Sequence, residues 1–140
     1  ATRDGMDVAL CRIERDKKIM RFAGAHRPLW IWHNYDLAEV KGERYGIAGS
    51  YIEGETRTYQ EHAVKYDPGD VVYLFTDGYV DQFGGKERKK FTAKRFKEVL
   101  LRNHHRRLSE QCAILERAHE EWKTRANEQT DDVLVLGLRL

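Results

Sequence analysis

The chain has 140 residues, 41% of them hydrophobic, enough for one domain with its own core. Its 25 basic and 23 acidic side chains leave a net charge of +2, which excludes the large, clustered basic excess of a dedicated nucleic-acid binder. No apolar stretch approaches the roughly 18 residues that cross a bilayer, and no signal peptide, linker or internal repeat is recognisable.

In chain order, Asp7 to Glu14 alternates as a strand, Arg15 to Lys18 is a charged turn, and Ile19 to Ala23 is the returning arm of a hairpin. Leu29 to His33 is an aromatic-rich strand, and Asn34-Tyr35-Asp36 a tight turn into Leu37 to Val40. Trp30 and Trp32 share one face of their strand, either core or docking surface. Lys41 to Thr58, with four glycines, has no period and is expected to be a loop. Tyr59 to Tyr66 is expected to be a strand ended by the turn Asp67-Pro68-Gly69-Asp70.

Val71 to Phe75 is apolar throughout, which suits a strand buried on both faces. Thr92 can cap a helix with Phe96, Val99 and Leu100 on one face. A second helix should start near Ser109, with Cys112, Leu115, His119 and Trp122 inward, so that a helix pair runs from Thr92 to Thr124. His104 and His105 fall in the solvated turn between them. Val133 to Leu140 reads as a last strand. The pattern gives an α+β fold: an antiparallel sheet core with a helix pair on one face. Cys11 and Cys112 lack CxxC spacing and are expected to be reduced core thiols in a cytoplasmic protein.

Acidic residues gather at the ends of the two most apolar strands. Asp77 follows Val71 to Phe75, and Asp131 and Asp132 precede the final strand. If those strands are antiparallel neighbours, the carboxylates meet at one sheet edge. Two carboxylates ~4 Å apart repel by roughly 4 kcal/mol at an effective dielectric near 20, so such a cluster calls for a cation or a shared proton. Oxygen donors without His or Cys favour Mg²⁺ or Mn²⁺ over zinc. On spacing alone, ordinary turn and loop aspartates are the better account of these residues.

Resemblance decides between the two. Gly69-Asp70-Val71-Val72-Tyr73-Leu74-Phe75-Thr76-Asp77-Gly78 resembles the Gly-Asp-strand-Thr/Ser-Asp-Gly motif of the PPM (type 2C) phosphatase superfamily, in its SpoIIE-like bacterial branch. Thr130-Asp131-Asp132-Val133-Leu134-Val135 resembles the closing Asp-Asp motif of that branch. Asp4 to Cys11, Phe22 to Leu29 and Gln82-Phe83-Gly84-Gly85 resemble further segments in the same order.

The resemblance implies a phosphoserine/phosphothreonine phosphatase in which two Mg²⁺ or Mn²⁺ ions activate a water for attack on phosphorus. It assigns Asp77 and Asp131 as metal ligands and puts Asp132 at the metal behind them. Gly78 then lets the backbone run beside the metal-bound waters, and His26 lies near the substrate. The family's upstream Asp-x-x-Gly-His-Gly motif, whose Asp bridges both metals, does not occur in these residues. Gly24 is followed by Ala25, with His26 one place later than the family's Gly-His pair. The chain is therefore expected to be the C-terminal portion of such a domain, with half a metal site and little activity alone. The implied partners are a phosphoprotein substrate, an upstream sensor domain and, as an open option, a second copy in a homodimer, with no nucleic acid and no membrane. The alternative is a phosphatase-like binding module that does not hydrolyse.

Overall fold

The charged turn after Glu14 reverses the chain with Lys18 at φ 51°, and Val8–Glu14 (β2) pairs antiparallel with Ile19–Ala25 (β3). The computed structural model describes residues 4–49, 54–123, 128–129 and 131–140. His62–Lys65 (β7) adds to the other side of β3, giving a three-stranded sheet ordered β2-β3-β7. A second sheet is built from Leu29–His33 (β4), Asp36–Val40 (β5), Val71–Phe75 (β8) and Val135–Arg139 (β11), in the order β11-β8-β4-β5. Gly5–Met6 (β1) with Ile47–Ala48 (β6), and Phe83–Gly84 (β9) with Lys89–Lys90 (β10), form two short ribbons.

Period-2 alternation explains how the layers stack. Leu29 and Ile31 of β4 and Val72 of β8 face the three-stranded sheet, where they pack with Met20 and Phe22 of β3. The intervening Trp30, Val71, Tyr73 and Phe75 point the other way, onto Ala93–Asn103 (α1) and Leu108–Lys123 (α2). β8 is apolar at every position because a sheet covers one face and helices the other. Trp30 is therefore core, while Trp32 is half-buried and stacks on His104 with ring centroids 4.6 Å apart.

Thr92 caps α1 by accepting a hydrogen bond from the Arg95 amide. Phe96, Leu100 and Leu115 are buried as expected, whereas Trp122 is only half-buried at the end of α2. Its indole N–H donates to the Gln82 carbonyl at 2.8 Å, so its polar edge is anchored. Thr124 lies outside the described residues.

Four expectations need correction. Cys112 is exposed and Cys11 half-buried, so neither is a fully buried core thiol. The inward stripe of α2 is Gln111, Leu115 and His119, because Gln111 turns in to accept a 2.6 Å hydrogen bond from the Tyr73 hydroxyl. Burial pushes the Cys11 thiol pKa up. The strand expected over Tyr59 to Tyr66 is only β7. Past Phe22 the edge of β3 belongs to another segment, since the Glu43 amide donates to the Gly24 carbonyl at 2.8 Å. The loop after Lys41 holds β6. Among the described residues no helix is long and apolar enough to cross a membrane.

Candidate functional site

β8 and β11 are antiparallel neighbours, with Val135 opposite Phe75. The end of one strand therefore lies beside the start of the other. Thr76 fixes the join. Its amide donates to the Leu134 carbonyl at 3.0 Å, and its hydroxyl accepts from the Leu134 amide at 3.0 Å. The same hydroxyl donates to the Asp132 carbonyl at 3.2 Å. These side-chain bonds replace the ladder there, which is why β11 begins at Val135 and not at Val133.

The next step brings the predicted residues together. Gly78 is buried against the chain before β11: a Cβ on it would lie 2.3 Å from the Asp132 carbonyl oxygen and 3.3 Å from the Asp131 Cβ. Bond lengths then put the Asp131 Cβ within about 9 Å of the Asp77 Cα. Asp77, Asp131 and Asp132 are all exposed, and among the described residues none of them forms an ion pair.

The turn that carries Asp77 is anchored from below. Tyr79 is buried, stacks on Phe96 at 4.8 Å and donates its hydroxyl to the Leu115 carbonyl at 2.6 Å. Burial raises the Tyr79 pKa, so it stays a neutral donor at any working pH. His119 lies against the Tyr79 ring at 5.2 Å, and burial, with Lys123 nearby, holds its pKa below the usual histidine value.

His26 has φ 60°, and both of its ring nitrogens face acceptors: Asp7 Oδ1 at 2.9 Å and the Arg44 carbonyl at 2.6 Å. Its imidazole thus pins the start of β2 to the segment before β6.

Hard carboxylate oxygens without counter-ions, on two chain segments that Gly78 lets approach closely, suit a small divalent cation. They supply only part of the roughly six ligands Mg²⁺ takes. Among the described residues, the one trio of His, Cys, Asp or Glu donors gathered within 4.8 Å lies at the opposite end of β8: His33, Asp67 and Asp70. The buried Asp70 carboxylate there accepts from His33 Nδ1 at 2.5 Å and from the Asp67 amide at 2.8 Å. These bonds close the Asp67-Pro68-Gly69-Asp70 turn and account for the trio as a structural cap.

Two side chains at the edge escaped the sequence reading. Thr76 was legible only as a motif letter. Arg27, just before β4, donates from Nε to the Phe75 carbonyl at 3.1 Å, and its guanidinium lies 5.4 Å from the Phe75 ring centroid. Neither has a spacing signal, because both act across strands.

The fold recurs in phosphatase domains. The SiaA-PP2C domain of Pseudomonas aeruginosa superposes with a TM-score of 0.86 at 30% identity, over 97% of this chain and 52% of that one. The phosphatase domain of the cell fate determinant SpoIIE from Bacillus subtilis (Mn presoaked) gives 0.68 at 16% identity, over 96% and 56%. RsbX in complex with magnesium gives 0.56 at 13%, over 95% and 55%; these two likenesses are of fold alone. The chain spans about half the length of each. No curated protein matches it significantly. The family model for Stage II sporulation protein E (SpoIIE) matches residues 2–140. With that match covering nearly every residue, and with both acidic motifs meeting at one sheet edge, the chain belongs to the SpoIIE family.

Proposed function

We propose that the chain is the C-terminal portion of a protein serine/threonine phosphatase domain whose Asp77 and Asp131 ligate Mg²⁺ or Mn²⁺. The observation that carries this is the Gly78 contact with Asp132, which leaves the two motif aspartates on adjoining strand ends. Bound divalent ions supply charge neutralisation at the phosphoryl oxygens and a water of lowered pKa. Asp77 and Asp131, on the two chain segments that meet at Gly78, would hold the cation. Thr76 keeps the strand ends in register, and Asp132 orients the ligands from behind. The substrate is a phosphoserine or phosphothreonine of a cytoplasmic phosphoprotein, with an upstream sensor controlling output and a homodimer as the candidate assembly.

With no Asp-x-x-Gly-His-Gly motif in the sequence, these 140 residues alone should release little phosphate from a generic aryl phosphate in millimolar Mn²⁺. Turnover at the level of an intact family domain would contradict the half-site reading. The second reading is a phosphatase-like binding module that does not hydrolyse. Mn²⁺-dependent hydrolysis of a phosphoserine peptide by the full-length polypeptide, lost in Asp77→Asn, supports the enzyme. Peptide binding without hydrolysis supports the module.

A further inference from the structure

We propose that Arg27 is a substrate-binding residue that takes a phosphoryl oxygen of the phosphorylated side chain; this rests on the phosphatase reading above. Extending the β4–β8 register past Trp30 opposite Tyr73 sets Arg27 level with Thr76, one residue before Asp77. Leu134 lies level with Thr76 on the β11 side. One row across three strands thus carries a cation on one flank and leads to the carboxylates on the other.

The backbone at Arg27 is held tightly. A Cβ on Gly24 would lie 2.2 Å from the Arg27 carbonyl oxygen, and one on Gly42 2.5 Å from it, so two glycines clamp the peptide. Pro28 restricts Arg27 to extended conformations. The half-buried side chain spends one donor, Nε, on the Phe75 carbonyl and lays its plane near the Phe75 ring. A guanidinium has five N–H donors in a rigid fork. Among the described residues, neither terminal nitrogen of Arg27 has a hydrogen-bond acceptor, and no carboxylate lies within 4.0 Å.

A cation on the strand row next to Asp77, paired with no carboxylate among the described residues, is placed for an anion bound at this edge. A purely structural arginine needs only the Phe75 carbonyl and ring. The free fork matches two oxygens of a tetrahedral phosphate, as a lysine cannot.

The test is the affinity of the intact, Mn²⁺-loaded protein for inorganic phosphate by calorimetry, with Mn²⁺ affinity and unfolding midpoint measured alongside. Arg27→Gln is expected to weaken phosphate binding at least tenfold and leave Mn²⁺ affinity unchanged. Arg27→Lys, which keeps the charge and loses the fork, should recover part of it. With a phosphopeptide, KM should rise more than kcat falls. Unchanged phosphate affinity in a folded, Mn²⁺-binding Arg27→Gln protein overturns the assignment. If that variant does not fold, wild-type phosphate affinity in Arg27→Lys overturns it equally. Absence of Mn²⁺ binding by the unsubstituted protein would instead contradict the phosphatase reading itself.

Discussion

Phe96→Ala is expected to destabilise the protein by about 3–5 kcal/mol, measured by denaturant unfolding. Phe96 is fully buried where α1 meets the four-stranded sheet. Its ring touches three others: Trp30 at 5.2 Å, Phe75 at 5.1 Å and Tyr79 at 4.8 Å. Truncation removes the transfer energy of the ring and leaves a cavity that these large, anchored side chains cannot refill. Small domains hold only about 5–15 kcal/mol in total, so the loss is a large share. It also reaches the site, because Tyr79 sits two residues after Asp77 and loses its stacking partner. An unfolding midpoint equal to that of the parent would place Phe96 outside the core.

Gly78→Ala is expected to cost about 1–3 kcal/mol and to weaken Mn²⁺ binding as well. The added methyl would lie 2.3 Å from the Asp132 carbonyl oxygen and 3.1 Å from its carbon, and backbone cannot rotate away as a side-chain tip can. Relief requires the segment before β11 to move off β8. That motion stretches the Thr76 hydrogen bonds and carries Asp131 away from Asp77. A variant with parental stability and parental Mn²⁺ affinity would show that the close approach at Gly78 does not set the site.

What the sequence reveals of this fold depends on how local the cause is. β4 and β8 were legible to the residue, because their composition answers to burial on both faces of a sheet. The start of α1 was legible from Thr92, whose cap lies within one turn. β7 came out shorter than its pattern because Glu43, distant in sequence, occupies the edge of β3. The face of α2 was misread at Cys112 because a polar residue, Gln111, turns inward to meet Tyr73. The two-residue ribbons are too short to show any period. At the site, Asp77, Gly78, Asp131 and Asp132 stood out because they flank apolar strands. Thr76 and Arg27 did not, since the contacts that define them cross from β8 to β11 and from β4 to β8.

The central claim, that Asp77 and Asp131 hold a divalent cation at this edge, is tested most directly by the unfolding midpoint with and without Mn²⁺. At tenfold excess over Kd, Mn²⁺ should stabilise the parent protein by about 1.4 kcal/mol. Asp77→Asn and Asp131→Asn should each lose that response. Without metal both should match or exceed the parent in stability, since removing one carboxylate relieves repulsion at the edge. If both Asn variants are stabilised by Mn²⁺ as strongly as the parent, the cation binds elsewhere and the assignment is contradicted.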